Sequence, residues 1–103
     1  MLSPKMTERL AVLGENLKLA RKRRGKNEEQ AAEMIGISRA TLRRMENGDS
    51  GVKIGTYLAA LESYQLEDSL RFAEPEDDLI GLSHEKQRLP KRIRPKLEKK
   101  YDF

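Results

Sequence analysis

At 103 residues, 37% hydrophobic and 37% charged, the chain has room for one domain with a small core and a tail. The absence of cysteine and the single histidine, His84, exclude a disulfide framework, a thiolate zinc site and a cysteine nucleophile, and argue against a His-rich metal site. The net charge of +4 conceals a division. Residues 1–26 carry +6, residues 27–61 carry −1, residues 62–79 carry −6 and residues 80–103 carry +5.

Residues 1–6, which include Pro4 and show no periodicity, read as a flexible leader. From Thr7 to Arg24 the residues Leu10, Leu13, Leu17 and Ala20 recur at helical spacing. Thr7 is the expected cap, the cations Lys18 and Arg21–Arg24 form the polar face and last turns, and Gly25 stops the helix. Asn27 opens a second, short helix as half of a capping box with Gln30. Ala32 and Ile35 point inward, and Gly36 ends it. Ser38 then caps a third helix running to Met45 or Glu46, with Leu42 and Met45 inward, and Asn47-Gly48 turns the chain.

A loop over 49–54 offers Val52 and Ile54 to the core. A fourth helix from about Gly55 to Tyr64 lines Leu58, Leu61 and Tyr64 along one stripe beside Tyr57, and both tyrosines are expected at the core and its rim. Residues 66–73 fit a short helix better than a strand, although Ser69–Phe72 alternates as a strand does. The domain is therefore bounded at residues 7–74. Residues 75–103 read as a linker and a basic tail: acidic residues 76–78, an apolar island Leu79–Leu82, then an extended Lys86–Lys100 broken by Pro90 and Pro95.

The informative stretch is Asn27–Gly48, NEEQAAEMIGISRATLRRMENG. Two short capped helices flank a tight turn at Gly36, Ala32 lies where they must approach closely, and Ile37 and Leu42 straddle the turn. This is the spacing of a helix-turn-helix. The second helix of such a unit enters the major groove of double-stranded DNA, and its exposed residues here are Arg39, Ala40, Thr41, Arg43 and Arg44. Arginine pairs bidentately with guanine, and Ala40 or the Thr41 methyl suits a thymine methyl.

Across Leu13–Leu70 the chain resembles the Xre/Cro-type helix-turn-helix repressors. The residues that carry the likeness are Leu13–Leu17, Arg21, Ala32, Gly36-Ile37-Ser38, Leu42 and Glu46-Asn47-Gly48. The resemblance implies an all-α, five-helix, lambda-repressor-like domain that acts as a homodimer on a pseudo-palindromic operator. It places Arg39, Ala40, Arg43 and Arg44 at bases or nearby backbone, and Asn27 and Asn47 at phosphates. Arg39 and Arg43 are the expected base readers, with Thr41, Arg44, Asn47 and Lys53 positioning on phosphate. Many members carry a phosphate-binding glutamine where Glu28 stands. A carboxylate there repels phosphate unless a cation such as Arg39 pairs with it, so Glu28 is assigned a structural role in the first helical turn. Lys53 replaces a small polar cap and is a poor cap but suits a phosphate.

Within that superfamily the chain is most similar to HipB-like antitoxins, through residues 13–42, Gly51–Leu70 and the Leu-Pro-Lys-Arg segment at 89–92. That likeness implies an autoregulating toxin–antitoxin operon and a HipA-type kinase partner. It puts the dimer interface at Leu66, Leu70 and Phe72, and it assigns kinase docking to a tail carrying Lys91, Arg92, Arg94, Tyr101 and Phe103. A phage-type or general regulator without a toxin, and a protein-interaction module acting through the tail, are the alternatives. No catalysis and no cofactor are expected: the acidic run 74–78 lacks the spacing of a calcium loop, and no glycine-rich loop cradles a phosphate. With no apolar run near the ~18 residues of a membrane span and no signal-peptide core, the expected location is cytoplasmic, away from membranes.

Overall fold

A computed structural model describes residues 1–69 and 71–88. Five α-helices appear among them and no strand: α1 Pro4–Arg23, α2 Glu28–Ile35, α3 Arg39–Glu46, α4 Ile54–Ser63 and α5 Leu79–Arg88. The chain divides into two compact units, Met1–Leu70 and Arg71–Phe103.

In the first unit the helix boundaries follow from local chemistry. Helix α1 starts earlier than Thr7. Ser3 accepts the Met6 N–H at 3.2 Å and Pro4 occupies the first helical position, where its missing N–H is harmless and its fixed φ fits. Residues 4–6, expected in the leader, are thus the first turn of a helix. In α2 the Asn27–Gln30 capping box is complete in both directions, at 2.7 and 2.9 Å. Ser38 caps α3 through the Thr41 N–H at 3.0 Å. At Gly36 the chain takes φ +87 and the N–H of Ile37 returns to the Ala32 carbonyl, which is the left-handed stop that glycine permits.

The core of this unit is small. Leu17 of α1, Ala31 and Ala32 of α2, Leu42 and Met45 of α3, and Tyr57, Leu61 and Tyr64 of α4 are all buried. Met34, on the outer side of α2, is exposed. Ile54 does not join the core: it is 66% exposed, because it opens α4, and Val52 from the preceding loop is buried there instead. The closest approach is between α1 and the end of α3. A Cβ on Gly14 would lie 2.6–2.8 Å from the backbone of Met45, Glu46 and Gly48, and one on Gly48 would meet the backbone of Leu10 and Ala11. Only residues without a side chain let these backbones pack so tightly.

Beyond α4 the chain departs from the expected helix over 66–73. Gln65 is left-handed at φ +60 and ends α4, so that only a 3₁₀ turn, Glu67–Ser69, follows. The Ser69 hydroxyl donates to the Leu66 carbonyl at 2.6 Å, a local bond that competes with helix propagation. Ala73, at φ +49, suits neither a helix nor a strand. The fifth helix lies instead in the second unit. There Asp78 accepts the Gly81 N–H at 2.9 Å and opens α5, which takes in the island Leu79–Leu82 and ends with Lys86 and Arg88 in its last turn. Lys86–Arg88 is therefore helical, not extended.

One ion pair ties the first unit together. Arg21, in the last turns of α1, and Glu46, the last residue of α3, meet with side chains only 7% and 5% exposed. The guanidinium donates from Nε to Oε2 at 2.8 Å and from Nη2 to Oε1 at 3.1 Å, a bidentate fork. Its third nitrogen, Nη1, donates to the Lys26 carbonyl at 3.0 Å and so also holds the α1–α2 turn. The hydrogen bond to Glu46 raises the Arg21 pKa against the opposing effect of burial. Arg24, next on that flank, donates to the Ala20 carbonyl and to the Tyr64 carbonyl at the end of α4, and sits 5.5 Å from the Tyr64 ring centroid.

Removing one member of such a pair strands the other as a buried charge. Glu46→Gln is expected to cost about 3–5 kcal/mol, read as a lower urea midpoint at unchanged slope. Replacing both, Arg21→Met with Glu46→Leu, restores a large part of that loss. A Glu46→Gln protein within about 1 kcal/mol of the wild type, as for an exposed pair, would contradict the organising role of this contact.

Candidate nucleic-acid interface

The buried residues Leu42, Met45 and Glu46 lie on one face of α3, and Arg39, Ala40, Arg43 and Arg44 on the other are exposed. Helix α2 packs against α3 across the turn at Gly36, and both pack on the core. The exposed face is consequently held by two caps, a glycine turn and the Arg21–Glu46 fork.

The arginines of this face are engaged by carboxylates. Glu28, the first residue of α2, accepts from Arg43 through one oxygen, Oε1: Nε and Nη2 both stand 3.0 Å away. Arg39 Nη2 lies 3.5 Å from the same oxygen. The guanidinium groups remain about half exposed. The hydrogen bond from Arg43, with a smaller one from Arg39, holds the Glu28 carboxyl below its ordinary pKa. Arg44 donates from Nε to Asp49 Oδ2 at 2.9 Å, and Asp49 Oδ1 accepts the Gly51 N–H at 2.7 Å. These two bonds depress the Asp49 pKa in the same way. The Asp49 carbonyl accepts the hydroxyl of Tyr57 at 2.9 Å, which anchors the α3–α4 loop to α4. Burial pushes the Tyr57 and Tyr64 hydroxyls up.

The remaining expected site residues surround this face. Asn27 spends its Oδ1 on the cap of α2. Thr41 is half-buried and its Oγ1 accepts the Ser38 hydroxyl at 3.0 Å, a bond that uses its acceptor side and not its own O–H. Asn47 is exposed immediately after α3. Lys53 is the exposed N-cap of α4 and makes no side-chain cap bond, as its chemistry predicts.

A family model described as a helix-turn-helix domain matches residues 12–73, well over half of the chain. The chain belongs to the helix-turn-helix domain family. No curated protein and no solved structure matches it. The helix-turn-helix proper is α2, the Gly36 turn and α3, and the protein is a DNA-binding regulator of that family. No described helix is long and apolar enough to cross a membrane.

The residues expected at a dimer interface are Leu66, Leu70 and Phe72. Leu66 packs partly buried against the core of the first unit, Phe72 is exposed in the second, and Leu70 lies outside the described residues. Lys91, Arg92, Arg94, Tyr101 and Phe103, expected to bind a partner, also lie outside them.

Two features of the site escaped sequence reasoning. The Arg21–Glu46 fork was signalled by position: Arg21 stands four residues after Leu17 and Glu46 four after Leu42, so each charge continues a buried stripe. The hold of Asp49 on Arg44 had no periodic signal, because it is made in a loop.

Because Arg43 is the largest cause of the Glu28 shift, Arg43→Ala is expected to move the Glu28 titration upward, and by more than Arg39→Ala does. Carboxyl-detected NMR across pH 2–7 measures this. A depressed folded-state pKa stabilises the fold above the ordinary carboxylate value of about 4, and that contribution disappears as pH falls through the folded value.

Proposed function

We propose that the protein is a sequence-specific transcriptional repressor that binds a pseudo-palindromic operator as a homodimer. Helix α3 enters the major groove, and in the dimer the two recognition helices stand one DNA turn apart, about 34 Å. Arg39 and Arg43 read guanine edges, Ala40 contacts a thymine methyl, and Thr41, Arg44, Asn27, Asn47 and Lys53 position the domain on the backbone. The observation that carries this reading is the division of α3 between a buried apolar face and an exposed face with three arginines, inside a helix-turn-helix. Lys53, exposed at the start of α4 and making no side-chain cap bond, suits a phosphate, since the helix dipole and the ammonium act together there.

The more specific role we propose is that of a HipB-like antitoxin that represses its own operon and holds a HipA-type kinase through the basic tail. The sequence likeness carries this proposal. A regulator without a toxin, or a module whose main work is done by the tail, are the competing outcomes.

Two sets of variants test these readings. Arg39→Ala is expected to lose about 1–3 kcal/mol of discrimination at one operator position, whereas Lys53→Ala weakens all sequences alike and flattens the salt slope by about 1. Unchanged base preference in Arg39→Ala would remove direct readout by that residue. In a pull-down from the native host, the full chain should recover both operator DNA and a kinase-fold protein. Deleting residues 75–103 should lose the kinase and keep the DNA. Recovery of DNA alone by the full chain would leave a regulator without that partner.

A further inference from the structure

Among the described residues Glu28 is the one carboxylate that reaches two arginines of the exposed α3 face, and it does so with a single oxygen. Arg39 and Arg43 are four residues apart on one helix, where like charges repel, and the shared carboxylate offsets that repulsion. The contact also restricts how Arg43 can be used. A guanidinium has a side edge, Nε with one Nη, and an end edge made of both Nη groups. Glu28 occupies the side edge of Arg43 through Nε and Nη2. The end edge, with Nη1 unengaged by Glu28, is then the one left to offer to the two acceptors of guanine. At the same time the carboxylate cancels one positive charge on a surface that would otherwise bind any phosphate.

From this geometry, and resting on the DNA-binding reading of α3 given above, we infer that Glu28 is a positioning residue that sets selectivity. It aligns Arg43 end-on toward a base and suppresses sequence-independent binding to the DNA backbone. A carboxylate at this place lowers total affinity and raises the ratio of specific to non-specific affinity. Glu29, its neighbour in the same helical turn, forms no ion pair among the described residues and carries the same charge, so it supplies a matched control.

The test compares full-length wild type, Glu28→Gln and Glu29→Gln on a random-sequence duplex over a range of salt, followed by selection from a randomised duplex library. Glu28→Gln is expected to bind the random duplex about five- to tenfold tighter near 0.1 M salt, with a salt slope steeper by about 0.9. In the library it should lose preference at the base position that Arg43→Ala also relaxes. Glu29→Gln should change both quantities much less. Thermal unfolding of each variant confirms that the fold is retained, and Glu28→Asp, which keeps the charge but shortens the reach, should keep the shallow slope yet lose part of the base preference. Unchanged random-duplex affinity in Glu28→Gln, an equal effect in Glu29→Gln, or full base preference in Glu28→Gln would each overturn the inference. If wild type binds no duplex in a salt-dependent way, the DNA-binding reading itself fails, and that result is distinct from the other three.

Discussion

Everything the exposed face of α3 can do depends on how α3 is held, and the firmest hold is the buried fork between Arg21 and Glu46. The interaction spans the sequence from the end of α1 to the end of α3, and its third donor secures the turn into α2. A domain whose apolar core rests on a few leucines, alanines and two tyrosines has little hydrophobic surface to bury, so its orientation cannot come from burial alone. The fork adds direction, because two parallel N–H···O bonds fix distance and angle together. Its strength as a net contribution is modest, since desolvating both charges offsets most of their attraction. Its effect is to make other arrangements of the three helices costly.

The fork is possible only because the backbones around it lie very close. Gly14 lets α1 approach the carbonyls of Met45 and Glu46, and Gly48 lets the chain leave α3 against Ala11. A longer separation would draw Glu46 away from Arg21 and leave two buried charges unpaired. Steric and electrostatic requirements are thus met at one place. Arg24 extends the same principle to α4 by satisfying the Tyr64 carbonyl, one of the acceptors that every helix end leaves without an internal partner.

The three elements that carry the motif were legible because their ends are written in local chemistry. Asn27 with Gln30, Gly36, Ser38 and Asn47-Gly48 act through neighbours a few residues away, so the sequence order of these residues contains the interaction. The start of α1 was misread for a related reason: Ser3-Pro4 is also a start signal, but a proline ahead of an apolar stripe resembles a breaker. The region after Tyr64 was not legible, because its outcome turns on a left-handed glutamine, where a glycine would have announced the stop. Helix α5 is short and its apolar residues cluster in one turn, so no period of 3.6 emerges and the cap at Asp78 is lost among other acids. At the interface itself, exposure of the α3 arginines followed from the period of the helix. Glu28 was legible as a carboxylate needing a cation such as Arg39, although its shorter contact is with Arg43, whereas Asp49 gave no signal because it reaches Arg44 from a loop.

Those partners alter what the charge distribution means. The segment 27–61 carries −1, although it contains the face most suited to DNA. Three of its five acids, Glu28, Glu46 and Asp49, are engaged with arginines, and one of these pairs is buried. Glu46 therefore presents almost no charge to solvent, whereas Glu28 and Asp49 act as local counter-ions on the face itself. Phosphate approaching Arg43 or Arg44 must compete with a carboxylate already in place, while Lys53 faces no such competition among the described ion pairs. The arginines of the α3 face are thus partly neutralised by neighbouring carboxylates, and Lys53 at the edge is not, among the described ion pairs. On the proposed reading, that arrangement would let backbone contacts bring the helix to the groove without letting them decide where along the DNA it stays.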